Sequence, residues 1–234
     1  MKIVDNYIDR EIGKQILEES KARDLAHKSS GKLSASRLGD PLQWQVLNVL
    51  GVDKEPLDEY IVRKFERGRQ IEAWVLKYFK CVDTPPYVEY RGVVGLIDAL
   101  VDTVGWDFPH GIIPVEIKSV ANAKFKRIVR EGPDKGHIYQ AVLYGLAKDT
   151  EWVAICYIAS DDYRVQTFMI KVEDYKKEID DIITRFDNAI KNKTIPLFEP
   201  REKWQSNRLY NKYYNWALKS KEELADLSKE LFKK

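Results

Sequence analysis

The sequence predicts a single α/β domain whose core is a mixed β-sheet flanked by helices, with helical additions at both ends. Between residues 87 and 192, apolar runs typical of strands alternate with helical patterns, in the order three strands, helix, two strands, helix. A hydrophobic fraction of 44% and an aromatic fraction of 12% suffice for a buried core. The 234 residues also fit one domain, since domains hold about 150 residues.

The composition excludes several classes of protein. The formal net charge is +2, from 39 basic and 37 acidic residues, so a nucleic-acid surface must come from local clustering. Cys81 and Cys156 are the only cysteines, which disfavours a disulfide scaffold, a cysteine-rich zinc site and a four-cysteine iron–sulfur cluster. No signal peptide or long apolar run is visible, and we therefore expect a soluble cytoplasmic protein without membrane contacts.

Residues 1–84 are predicted to form an N-terminal helical part. Helical periodicity covers residues 9–28. A second helix is predicted to start in the run Leu33-Ser34-Ala35-Ser36-Arg37-Leu38, where either of the two serines could cap it. A longer pattern covers residues 56–80, as one helix or as two pieces broken near Gly68.

The 56–80 helix carries one charge on its predicted core face. Spacings of three and four residues align Ile61, Phe65, Gly68, Glu72, Val75 and Phe79. A carboxylate in the core needs a partner or a metal, which is one interpretation of Glu72. The other is that Glu72 lies at the margin, because Ile71, Trp74 and Tyr78 define an adjacent apolar strip. Periodicity alone leaves both open.

Residues 85–192 are predicted to hold the sheet, and residues 193–234 a helical tail rich in aromatic residues. Three strands come first, over residues 87–94, 95–101 and 112–119. A helix, two strands and a second helix follow, over residues 134–147, 152–159, 164–172 and 173–192.

Charged side chains interrupt the second and third predicted strands. Asp98 lies in the second, while Glu116 and Lys118 lie two apart in the third and project from one face. Two carboxylates on adjacent strands could bind a hard divalent cation such as Mg²⁺, which activates a bound water. An exposed ion pair on a half-buried hairpin is the simpler alternative.

Further polar residues follow on the predicted 134–147 helix. Gln140 and Tyr144 share a face four residues apart, and His137 lies on the same side. Together, Gly95-x-x-Asp98, Glu116-x-Lys118 and Gln140-x-x-x-Tyr144 resemble the motifs of the PD-(D/E)XK nuclease superfamily. The sequence is most similar to RecB/AddB-like exonucleases and to related CRISPR-associated or phage exonucleases, over roughly residues 33–160.

This resemblance implies a PD-(D/E)XK restriction-endonuclease-like core and a metal-dependent deoxyribonuclease that hydrolyses phosphodiester bonds at DNA ends. The implied ligands of one or two Mg²⁺ or Mn²⁺ ions are Glu72, Asp98, Glu116 and the carbonyl group of Ile117. The implied catalytic residues are Asp98, Glu116, Lys118, Gln140 and Tyr144. Related enzymes act in recombination, repair, phage replication or CRISPR adaptation, and a phage or viral origin is compatible with the pattern.

Two features depart from the family pattern. Glu72 stands where these relatives have a histidine, as it does in some phage exonucleases. The iron–sulfur cysteines of many relatives are absent, since Asp40-Pro41 stands where a Cys-Pro often occurs. We therefore expect no iron–sulfur cluster, and chain ends that are held by packing of the aromatic tail instead.

DNA is the implied partner. The candidate DNA contacts are Ser36, Arg37, Lys124, Lys126, Arg127, Arg130 and His137, although the basic stretch after Lys118 could equally be a solvated loop and helix face. A homo-oligomer, or a complex with recombination or replication proteins, is also compatible with the sequence. The alternative functions are a non-catalytic DNA-binding or assembly module, a structure-specific endonuclease, and a hydrolase of small phosphate esters.

Overall fold

A computed structural model describes residues 7–26, 31–54, 58–83, 86–107, 111–208 and 210–233. The helices are α1 (Tyr7–Ala26), α2 (Leu42–Val49), α3 (Glu59–Val75), α4 (Asn122–Glu131), α5 (Lys135–Lys148), α6 (Glu173–Lys191), α7 (Tyr214–Ala217) and α8 (Lys221–Leu231). The strands are β1 (Cys81–Asp83), β2 (Tyr87–Tyr90), β3 (Val93–Leu96), β4 (Ala99–Asp102), β5 (Ile112–Val120), β6 (Trp152–Ala159) and β7 (Val165–Lys171). Short 3₁₀ turns cover Ala35–Arg37, Leu76–Tyr78 and Lys203–Ser206.

Five strands form one mixed sheet in the order β1-β4-β5-β6-β7. β5 and β6 run parallel, and the other neighbouring pairs of this sheet run antiparallel. A parallel pair needs a long crossover, which α4 and α5 provide here. The predicted α/β class, with a central mixed sheet flanked by helices, is therefore confirmed.

Helices cover both faces of this sheet. Along β6, Val153, Ile155 and Tyr157 belong to a core shared with α2, α5 and α6. The alternate residues Ala154 and Cys156 belong to a second core, shared with α3. Buried side chains on both faces follow from the period of two along a strand, and they explain the continuous apolar sequence of β6.

The prediction of one strand over residues 87–94 is wrong. β2 and β3 form a separate two-stranded hairpin, turning at Arg91 (φ 48°) and Gly92 (φ 81°). Positive φ at both turn residues matches the right-handed twist of the flanking strands, but arginine is an unusual first residue for such a turn. The second predicted strand is likewise divided, because β3 ends at Leu96 and β4 begins at Ala99.

Helix α3 is continuous through Gly68, so a break there is wrong. Its buried residues are Val62, Ile71 and Val75, whereas Phe65 is 47% exposed and does not pack in the core as predicted. Seven residues at 100° each place Phe65 and Glu72 on nearly the same face. Glu72 is only half-buried. The part of the predicted core face that holds Phe65 and Glu72 therefore lies at the edge of the core, whereas Val75 on that face is buried as predicted.

The N-terminal elements differ in detail from the prediction. Helix α1 begins at Tyr7, and its predicted end at residues 27–28 lies outside the described residues, as does the predicted start of α3 at Pro56. The serine-rich run forms a 3₁₀ turn rather than a helix, and Ser34 makes no side-chain capping bond. Gly39 lies against Gly136 in α5, where a Cβ on Gly39 would stand 2.6 Å from the Gly136 Cα.

The C-terminal tail fastens this N-terminal loop. Arg201 Nη1 donates a hydrogen bond to the Leu38 carbonyl at 2.7 Å, and Gln205 Nε2 donates to the Gly39 carbonyl at 3.3 Å. Trp44 of α2 packs against three aromatic rings of the tail, Phe198, Trp204 and Tyr213, with centroids 5.9, 6.3 and 6.5 Å away. The tail therefore packs on the core, although its helices are short and separated by irregular chain. No helix in the described ranges has the length and apolar character that crossing a bilayer requires.

Candidate active site

Asp98 lies at the junction between the hairpin strand β3 and β4 of the main sheet. Continuing the β4–β5 register by one residue places it opposite Glu116. The Ile117 N–H donates a hydrogen bond to Asp98 Oδ2 at 2.7 Å. Burial raises the pKa of Asp98, and this hydrogen bond and the positive charge of Lys118 only partly offset the shift.

Glu116 is the most perturbed carboxylate of the site. It is 1% exposed, because β5 is covered on both faces. Its Oε1 forms an ion pair with Lys118 Nζ, but neither carboxylate oxygen accepts a well-formed hydrogen bond from the described residues. Burial raises the pKa of Glu116 to about 8 despite Lys118, and the charges of Asp98 and Glu72 add to the shift. Without a bound cation, the buried Glu116 carboxyl group is therefore mostly protonated at pH 7.

Glu72 and Lys118 extend this coupled group. Burial and the charge of Asp98 raise the pKa of Glu72, while Lys118 and Arg69 oppose the shift. Lys118 has a side chain that is 26% exposed. Burial lowers its pKa, but the carboxylates, led by Glu116, outweigh burial and leave the pKa above its usual value. Glu72 thus lies at the margin of the core, and its charge still acts on the other acids.

Helix α5 brings an amide and a phenol to the same side of β5. Gln140 Nε2 donates a hydrogen bond to Tyr144 Oη at 2.9 Å, and both side chains are buried. Burial and the charge of Glu116 raise the pKa of Tyr144. Gly95 makes room for the ring, since a Cβ there would stand 2.6 Å from Tyr144 Cε1. The glycine of the Gly-x-x-Asp pattern therefore has a steric role.

Tyr157 is a residue of this region that sequence reasoning missed. It pairs with Lys118 across the parallel β5–β6 register, and its hydroxyl lies 2.7 Å from His137 Nδ1. Burial, reinforced by the charge of Lys118, lowers the pKa of His137 to about 3, so this ring is neutral at pH 7. The only sequence signal was a tyrosine within an otherwise apolar strand.

Comparisons with known proteins bear on the fold. Neither a protein-family model nor a curated protein matches the sequence. The structure is similar to the crystal structure of SSO0001, with a TM-score of 0.50 and 18% identity over 88% of this chain and 94% of that one. It is also similar to two crystal structures of the alkaline exonuclease LHK-Exo from Laribacter hongkongensis, one of them in complex with dAMP. Those share 15% identity, with TM-scores of 0.45 and 0.46, over 69% of this chain and 91% of theirs.

The chain therefore shares its overall fold with SSO0001. Within this fold, Asp98, Glu116 and Lys118 lie at the centre of the sheet, and α5 presents Gln140 and Tyr144 to the same face. This arrangement brings carboxyl oxygens together beside one lysine, and oxygen atoms are the ligands that a hard cation prefers. In the described part of the chain, however, no three His, Cys, Asp or Glu side chains already stand as a ligand cage.

The side chains predicted to contact DNA are largely engaged within the protein. Lys124 Nζ lies 2.6 Å from Asp134 Oδ2, and Arg127 binds the other oxygen of that carboxylate. Arg130 pairs with Glu131 at 2.5 Å, whereas Lys126 is exposed.

The two candidate contacts in the serine-rich loop are also partnered. Arg37 pairs with Asp40 at 2.9 Å, and Ser36 Oγ lies 3.1 Å from Ser34 Oγ. To contact DNA, these basic side chains would have to break their ion pairs with acidic side chains of the protein and form new ones with phosphate groups.

Proposed function

We propose that this protein is a Mg²⁺- or Mn²⁺-dependent deoxyribonuclease that hydrolyses phosphodiester bonds, acting as an exonuclease on DNA ends. One observation carries the proposal, namely the convergence of the buried Glu116 carboxyl group with two further acids, Asp98 and Glu72, beside the single charge of Lys118. Burying such acids in ionised form costs several kcal/mol per ion in general, unless a cation compensates it. The proposed nuclease core spans residues 85–192, with residues 1–84 and 193–234 as helical parts of one domain.

Asp98, Glu116 and the Ile117 carbonyl are the proposed metal ligands. Glu72 is an additional ligand for one or two ions, and its coupling to Asp98 supports this role. The oxygen-only donor set suits Mg²⁺ and Mn²⁺. A divalent cation bound there would lower the pKa of a bound water and polarise a phosphodiester oxygen. No iron–sulfur cluster is proposed.

Lys118 is the proposed catalytic lysine. Its raised pKa keeps Nζ protonated at pH 7, so it can donate a hydrogen bond to the attacking water or to a phosphate oxygen that gains charge. Gln140 and Tyr144 organise the same side of the site through their mutual hydrogen bond. Tyr157 orients the neutral His137, which would then hold substrate by hydrogen bonds rather than by charge.

DNA is the proposed substrate and partner. The proposed backbone contacts are Ser36, Arg37, Lys124, Lys126, Arg127, Arg130 and His137. A basic stretch on α4, next to the end of β5, supports this assignment. Assembly with itself or with recombination or replication proteins is part of the proposal, but a partner is not needed for the chemistry.

The test incubates end-labelled single- and double-stranded DNA with Mg²⁺, Mn²⁺ or EDTA. We expect metal-dependent cleavage by the wild type, and a loss of about 100-fold or more in Lys118→Ala. The matched control is Lys177→Ala, which removes an exposed lysine that pairs with Asp181 on α6. Equal losses in both variants would contradict the role of Lys118.

Two further outcomes distinguish the alternatives. Binding of DNA without cleavage under every metal condition supports a non-catalytic DNA-binding module. Cleavage of circular as well as linear DNA supports an endonuclease over an exonuclease. Intact acidic ligands beside Lys118 favour catalysis, because a binding module has no use for buried charge of this kind.

A further inference from the structure

Two exposed tyrosine rings flank the half-buried Trp74 near the end of α3. The Trp74 ring lies 5.1 Å from that of Tyr78 and 4.7 Å from that of Tyr163, measured between centroids. Tyr78 is 70% exposed and Tyr163 is 44% exposed. Large aromatic side chains grouped at a surface commonly mark a binding site.

Basic side chains lie beside this cluster. Arg67 precedes Trp74 by seven residues, which places the two on nearly the same helical face about 10 Å apart. Arg67 and Lys77 are both exposed, and neither forms an ion pair within the described residues. This contrasts with α4, where Lys124 and Arg127 share one carboxylate. We call the surface of Arg67, Trp74, Lys77, Tyr78 and Tyr163 the α3 strip.

The α3 strip begins next to the candidate active site. Gly68 follows Arg67 and lies against Ser119, the residue after Lys118, since a Cβ on Gly68 would stand 3.3 Å from Ser119 Oγ. The turn that carries Tyr163 is joined to the end of β5, because the Ser160 N–H donates to the Val120 carbonyl at 2.8 Å. The strip and the site therefore share the carboxyl end of β5.

We propose that the α3 strip binds single-stranded DNA, with the exposed rings stacking on bases and Arg67 and Lys77 contacting phosphates. Aromatic platforms combined with cations are how proteins bind single strands without reading their sequence. In a duplex the bases already stack on each other, so their faces are not available to Tyr78 and Tyr163. The role of the strip in guiding DNA to the active site rests on the proposed nuclease function. Binding of single-stranded DNA by the strip does not depend on cleavage and can be measured separately.

A protein partner is the competing occupant of the strip. Two observations favour DNA. The cations beside the rings complement a phosphate backbone. The acidic group of the neighbouring turn, Asp162, is already bound by Arg164 at 2.8 Å and so repels phosphate less.

The experiment measures binding of a 20-nucleotide oligo(dT) probe in EDTA, so that cleavage cannot interfere. Tyr78→Ala combined with Tyr163→Ala is expected to raise Kd about tenfold or more, while Tyr78→Phe retains wild-type binding. The control Tyr87→Ala removes a tyrosine from β2 whose exposed fraction, 59%, lies between those of Tyr78 and Tyr163, and it is expected to leave Kd unchanged. Melting temperatures of all variants establish that each is folded.

A second probe isolates the bases. A strand of the same length made of abasic sites keeps the phosphates, and wild type is expected to bind it about as weakly as the double variant binds oligo(dT). An unchanged Kd for oligo(dT) in the double variant overturns the proposal. The proposal is also overturned if the double variant loses as much affinity for the abasic strand as it loses for oligo(dT). If no DNA is cleaved but this binding pattern holds, the nuclease proposal fails and the strip proposal stands.

Discussion

Replacing Gly95 with alanine tests whether the glycine of the Gly-x-x-Asp pattern exists to admit Tyr144. The new Cβ would stand 2.6 Å from Tyr144 Cε1 and 3.0 Å from Ala35 Cβ, both well inside normal contact distance. Tyr144 is fully buried and bonded to Gln140, so the ring cannot swing into solvent. Gly95 does not have a positive φ, so the backbone itself accepts alanine and the cost is steric.

Overpacking of a core by one methyl group typically costs about 1–3 kcal/mol. In a chain of this size, each kcal/mol lowers the melting temperature by about 2–4 °C, so we expect Gly95→Ala to melt roughly 3–10 °C below wild type. The proposed nuclease activity should fall further than the stability loss explains, because the displaced Tyr144 lies beside Glu116. Thermal melting and a cleavage assay at a temperature where both proteins are folded measure the two effects.

Two variants control this prediction. Gly136→Ala also adds a methyl group in this region, but its Cβ would lie 3.5 Å from Gly39 Cα, an ordinary contact, and it should be neutral or slightly stabilising. Adding Tyr144→Leu to Gly95→Ala should recover part of the lost stability, since it removes the clashing ring atom. A Gly95→Ala protein that melts with the wild type would refute the steric argument.

Three further predictions concern charge and the tail. With its folded pKa near 8 against an ordinary 4.5, Glu116 holds a proton that the unfolded chain has lost, so metal-free stability should fall between these pH values. The free energy of unfolding in urea should fall from pH 5.5 to pH 8.5, and the fall should be roughly 1–4 kcal/mol larger in wild type than in Glu116→Gln. Saturating Mn²⁺ should raise the wild-type melting temperature at pH 8 but not that of Glu116→Gln, as fluorimetry can measure. Arg201→Met should lose about 1.5–3 kcal/mol, because it leaves the Leu38 carbonyl without its charged donor, and unchanged urea unfolding would contradict this.

The sheet and its charged residues were accessible from sequence for a physical reason. Side chains alternate along a strand, so the separation of Glu116 and Lys118 by two residues already implies one face. The mixed sheet followed from the order of apolar runs and helical patterns, and β6 and α6 were predicted within one residue of their bounds. These features depend on local periodicity.

The remaining features depend on relations between distant segments. The partner of Lys118 on β6, Tyr157, follows from the register of a parallel pair, which local sequence does not encode. Phe65 was assigned to the core because its spacing fitted, yet the true core face of α3 is set by where the sheet lies. The neutralisation of the α4 cations by Asp134 likewise needed the fold, because seven residues and a helix end separate Arg127 from that carboxylate.

The bonds between the tail and the 34–40 loop also have a consequence for synthesis on the ribosome. Arg201 lies 163 residues after Leu38, whose carbonyl it binds. At about 5–20 residues per second, the loop is synthesised roughly 10–30 s before Arg201, whose side chain binds it. Asp98, which directly precedes β4, and Glu116 of β5 can come together long before that, because the β4–β5 hairpin closes locally. Synthesis of Arg201, rather than synthesis of the acidic residues, would then set the moment at which the loop around Leu38 is held in place.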